Sequence, residues 1–125
     1  MDTTHTAKRY DLEGRTLQFA KDVLAFVRSL PNTIPNTEIS KQLVRAAGSV
    51  GANYIEANES LGKRDFLMKV RISRREAKES RYWLQLALCD EGAKTTQEKL
   101  IQESTELMKI LGAILRNSQK TSPKF

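Results

Sequence analysis

Residues Arg45 to Leu88 read RAAGSVGANYIEANESLGKRDFLMKVRISRREAKESRYWLQLAL, and the reading of this stretch decides the fold. Its apolar residues recur at three- and four-residue spacing on either side of Leu61-Gly62, which predicts two long helices joined there. The earlier helix, from about Thr37 to Glu59, turns Ile39, Leu43, Ala46, Ala47, Val50, Tyr54 and Ala57 to one side. Gly48 and Gly51 interrupt it, and glycine costs about 1 kcal/mol against alanine in a helix interior. Close approach of a neighbouring helix accounts for them. A phosphate-cradling loop at Gly48-Ser49-Val50-Gly51 does not, because no strand precedes it and the surrounding period is helical.

The later helix runs from Lys63 to Leu88 or Cys89, with Phe66, Val70, Ser73, Ala77, Ser80, Leu84 and Leu88 as its main stripe. A second apolar group, Met68, Ile72, Trp83 and Leu86, lies on a different side. A helix that is apolar on two sides has another surface to meet, which makes these four the expected interface with a second copy of the chain. The alternative keeps Trp83 at the bundle edge, under the next helix.

Outward from this pair, Leu12, Phe19, Val23, Phe26 and Leu30 mark a first helix, widened by Ala20, Leu24 and Val27. It is capped near Asp11 and stopped by Pro31, which cannot donate the next helical hydrogen bond. Pro31 to Asn36 reads as a short loop. Glu91-Gly92-Ala93-Lys94 reads as a stop at which glycine takes the left-handed conformation. A fourth helix follows from about Thr96 to Asn117, with Leu100, Leu107, Met108, Leu111, Ile114 and Leu115 inward. With no strand signal, the expected fold is all-α, an up-down-up-down antiparallel four-helix bundle over residues 11–117, flanked by a loose arm (1–10) and a tail (118–125).

A chain of 125 residues forms one domain. The single cysteine, Cys89, makes no internal disulfide, and the single histidine, His5, falls in the arm. Di-iron bundles draw on Glu-x-x-His pairs, which are absent here, and Ser49, Ser73 and Ser80 have no helical histidine to activate them. No enzyme activity, metal or cofactor is therefore expected. No apolar run approaches the roughly 20 residues that span a bilayer, so no membrane association is expected and the cytoplasm is the default compartment.

Asn53, Glu56, Arg74 and Arg81 border the inward stripes and are expected to pair in a partly buried structural network. The net charge of +6 is concentrated on the third helix, where residues 63–81 hold eight lysines and arginines against three carboxylates. Arg64, Arg71, Arg75 and Lys78 share one side of that helix, with Tyr82 a turn beyond. Cations at this spacing can follow phosphates, and a tyrosine can stack on a base, so these five are the candidate nucleic-acid contacts. The competing reading is an ordinary solvated face laced with pairs such as Arg75 and Glu79.

The segments Gln42-Leu43-Val44-Arg45, Gly48 to Ala57 and Glu76 to Leu84 carry a resemblance that extends from about Asp11 to Leu115. The chain resembles the four-helix-bundle family of 23S rRNA intervening-sequence proteins, also called S23-like proteins. Asn53 and Glu56 match the family's Asn-x-x-Glu, and Ala77 to Leu84 match its Ala-x-x-Ser/Glu-x-x-x-Leu segment. The resemblance implies a bacterial bundle assembled as a homo-oligomer, a pentameric ring. It also looks like the accessory variability proteins of diversity-generating retroelements, basic pentamers that contact nucleic acid and a reverse transcriptase. Neither resemblance supplies a catalytic residue. The expected function is a non-enzymatic oligomeric bundle that binds RNA or DNA through the basic face. The alternative is a protein-interaction scaffold with no nucleic-acid role.

Overall fold

Each stripe becomes a helix because its ends are chemically marked. A computed structural model describes residues 11–120, with side chains through 118; the expected arm, with His5, lies outside them. The helices are α1 (Leu12–Arg28), α2 (Ile34–Asn58), α3 (Lys63–Leu86) and α4 (Lys94–Lys120), with one 3-10 turn at Glu91–Ala93. Asp11 caps α1 by accepting a hydrogen bond from the Gly14 amide at 2.8 Å.

Three boundaries differ from the sequence reading. The expected loop through Asn36 is already helical, because Thr33 caps α2 and Pro35 sits in the first turn, where a missing N–H costs nothing. The helix α4 continues past Asn117 to Lys120. The helix α3 ends at Leu86 without any left-handed glycine, and Gly92 lies in the 3-10 turn. Its end is held instead by two buried side-chain amides. Asn36 donates to the Leu88 carbonyl (2.8 Å) and the Pro31 carbonyl (3.0 Å) and accepts from the Leu88 amide (3.0 Å). Gln97 donates to the carbonyls of Leu84 (2.8 Å) and Ala87 (3.1 Å). Together these satisfy groups that a helix end leaves unpaired.

Cross-helix contacts run in opposite numerical order, as antiparallel neighbours require. The Ser73 hydroxyl donates to the Val50 carbonyl (2.7 Å), Lys69 pairs with Glu56 (2.6 Å) and Arg45 with Glu79, joining α2 to α3. Arg81 donates to Thr105 across the α3–α4 seam (3.2 Å), and Arg15 pairs with Glu103 between α1 and α4 (2.7 Å). The expected four-helix bundle is therefore the observed one, with α3 flanked by α2 and α4 and α1 closing the other side. Its core joins Phe19, Val23 and Phe26 to Leu43, Val50, Val70, Leu84, Leu107 and Leu111. Two residues of the expected stripes are left outside: Leu24 and Leu88 are exposed.

The two glycines of α2 turn out to do different things. A Cβ on Gly51 would lie 2.9 Å from the Thr16 hydroxyl and 3.2 Å from its Cβ, so this is where α1 comes close. A Cβ on Gly48 would meet nothing within 4 Å. Within the subunit, Gly48→Ala should therefore stabilise the helix by about 0.5–1 kcal/mol through its propensity. Gly51→Ala should destabilise, since overpacking costs about 1–3 kcal/mol and exceeds the same propensity gain. Urea midpoints at one protein concentration measure both, and stabilisation by both alanines would refute the close α1–α2 approach.

Candidate nucleic-acid interface

The antiparallel pairing of α3 with α4 gathers cations that are far apart in sequence. Met68, Arg71, Ile72, Arg74, Arg75, Lys78 and, from α4, Met108 line a surface groove of about 460 Å³. A second groove of about 290 Å³ adjoins it and shares Arg74 and Met108, adding Arg81, Thr105, Lys109, Gly112 and Arg116. The seam thus has cationic walls on both helices and an apolar floor. Gly112 lies beneath this meeting: a Cβ there would be in ordinary contact with Arg74 Nε at 3.4 Å and Arg116 Nη1 at 3.6 Å, so both guanidinium groups reach over the same backbone.

Among the described residues Arg71, Arg74, Lys78 and Arg116 make no ion pair. The carboxylates near the seam offset Arg75 and Lys109 and leave its other cations without an acidic partner among the described residues. Arg75 reaches Glu76 at 3.6 Å, and Lys109 reaches Glu106 at 3.9 Å, both longer than a hydrogen bond. Like charges held on facing walls repel one another, and a polyanion laid between them relieves that repulsion.

The expected contact residues divide. Arg71, Arg75 and Lys78 converge on the first groove, whereas Arg64 and Tyr82 lie outside it. Tyr82 is exposed on the helix and meets Trp83 edge-on at 5.0 Å. The expected oligomer contacts divide too. Met68 and Ile72 form part of the groove floor. Trp83 is half-buried, packs against its own core and donates to Glu79 at 3.1 Å. Leu86 remains exposed.

The expected network of Asn53, Glu56, Arg74 and Arg81 is not formed. Asn53 donates back to the Ser49 carbonyl of its own helix (2.9 Å), and Glu56 is exposed, where it pairs with Lys69. That hydrogen bond holds the Lys69 ammonium above its ordinary pKa, so the lysine stays charged through neutral pH and gives up its proton only in strongly basic solution. Arg74 and Arg81 belong to the α3–α4 seam instead. The buried carboxylate is Glu76, 6% exposed, with Arg45 at 3.7 Å and no hydrogen bond to its Oε1.

The sequence reading gives Met108 to the inward stripe and passes over Lys109 and Arg116, because α4 has the pattern of a plain amphipathic helix. A signal exists in retrospect: Arg74 and Arg81, and Lys109 and Arg116, are each seven residues apart, two turns of helix. Facing seams of antiparallel helices bring such pairs opposite one another.

Bundle and seam define a basic, all-α protein whose most distinctive surface is a cationic groove between two helices. The chain belongs to the 23S rRNA-intervening sequence protein family, whose model matches residues 9–113. It is also similar to a protein of unknown function from the S23 ribosomal protein family of Bacteroides thetaiotaomicron VPI-5482, known from a 1.70 Å crystal structure. The two are 31% identical, with a TM-score of 0.70 over 82% of this chain and 96% of that one. No curated protein matches the sequence. Among the described residues no helix is long and apolar enough to cross a membrane.

Proposed function

We propose that the protein is a non-enzymatic, homo-oligomeric bundle that binds the phosphates of RNA or DNA along the α3–α4 seam. The observation that carries this reading is the set of cations along two adjoining grooves, Arg71, Arg74 and Lys78 on α3 and Arg116 beside Arg74 on α4, without carboxylate partners among the described residues. A face that served solubility alone would be expected to pair these cations with acids too, as Arg45 on α2 pairs with Glu79 on α3. Binding to a labelled polynucleotide should weaken as salt rises, by about 0.7–0.9 log units per log unit of salt for each phosphate neutralised. Four engaged cations give a slope near −3. Binding that is flat in salt would remove this reading and leave the scaffold.

Assembly is supported by apolar surface that the subunit leaves open. Val44 and Ile55 flank the open Gly48 on α2, and Leu86 is 43% exposed on α3. The resemblance implies five copies. Leu86→Glu, rather than a change at the core-packed Trp83, should reduce the assembly with helix content intact. Light scattering at micromolar concentration checks this, and a monomeric wild type would contradict the assembly.

A further inference from the structure

We infer that the seam accepts an unstacked nucleotide of a single strand, with its phosphate between Arg74 and Arg116 over Gly112 and its base on the floor of Met68, Ile72 and Met108. The inference rests on the nucleic-acid reading and narrows its ligand. Two adjoining grooves share Arg74 and Met108 but differ in chemistry. In one, two guanidinium groups meet over a glycine. In the other, apolar side chains lie open between cations, and Met68 is 51% exposed.

A duplex would use only half of this arrangement. Its phosphates can reach the rim, but its bases are stacked inside and leave the floor wet. A single strand can turn one base out, cover the methionines and keep its phosphates on the arginines. Thioether sulfur packs well against aromatic rings, and an arginine plane beside the floor can stack on the same base. The floor has no group that hydrogen-bonds a base edge, so the site should tolerate any base. It has none that reads a 2′-hydroxyl either, so oligo(U) and oligo(dT) serve equally as probes.

The test compares, at one salt concentration, a 12-nucleotide oligo(dT), its duplex with oligo(dA), an abasic strand of equal length and polyglutamate. The single strand should bind at least tenfold tighter than each of the others. Met68→Ser with Met108→Ser should weaken the single strand at least fivefold and leave the duplex within twofold. Arg116→Ala should weaken both. Duplex or abasic strand binding as tightly as oligo(dT) would overturn the inference and leave the phosphate reading intact. Polyglutamate binding as tightly would overturn both in favour of an acidic protein partner. Absence of binding by every nucleic acid at low salt would also overturn both. The abasic comparison needs no substitution, so it decides even where the serine variant fails to fold.

Discussion

Arg71→Glu combined with Arg74→Glu lowers affinity for a polynucleotide at least a hundredfold at about 0.1 M salt, while helix content and the urea midpoint stay close to wild type. The magnitude follows from removing two hydrogen bonds to charged groups, about 1.5–3 kcal/mol each, and adding repulsion between carboxylate and phosphate. The stability expectation follows from the structure. Both side chains are exposed and neither is ion-paired among the described residues, so reversal breaks no internal partnership and should cost within about 0.5 kcal/mol. Arg75 is a poorer choice although it lines the same groove, because its guanidinium lies 3.6 Å from buried Glu76. A glutamate there would set carboxylate against carboxylate and confuse binding with folding. Fluorescence anisotropy with labelled oligonucleotides provides the measurement. Unchanged affinity in the double variant would show that the seam is not the binding surface.

Asn36→Leu is expected to destabilise the bundle by about 3–5 kcal/mol, well above the typical single substitution. The side chain is 3% exposed and makes three hydrogen bonds to backbone groups of two separate connections, at Pro31 and Leu88. Leucine fills a similar volume but leaves those part-buried groups without their partner, at roughly 1–3 kcal/mol for each that water cannot reach. A thermal midpoint lowered by more than about 10 °C would agree with this. A loss under about 1 kcal/mol would mean that the connections hold without the amide.

The same residue shows where sequence reading succeeds and where it stops. Helices and their buried faces follow from local spacing: Phe19, Val23 and Phe26, or Leu107 and Leu111, are apolar at the helical period whatever surrounds them. The end of α3 does not follow, because the groups that satisfy it come from Asn36, 52 residues away, and from Gln97. Without that knowledge, Gly92 looks like the natural stop. The partners of the polar residues are illegible for a related reason. Arg74 and Arg81 border the buried stripe of α3, so pairing with Glu56 and Asn53 on α2 was the expectation, but their azimuth turns them toward α4. One helix's periodicity says which residues avoid the core. It cannot say which neighbour they lean upon, and the cationic seam arises from that choice.

The Asn36 tie also makes the two poles of the bundle unequal. At one pole, the α1–α2 and α3–α4 connections are stitched into a single unit through Pro31, Asn36 and Leu88. At the other, α2 passes to α3 through a bend where Leu61 is fully exposed and a Cβ on Gly62 would touch nothing within 4 Å. A foreign segment spliced in at Leu61-Gly62 would meet open solvent, whereas one spliced into the stitched pole would have to pull the knot apart. Evolutionary elaboration of this scaffold, and any reporter grafted onto it, belongs at the unstitched pole.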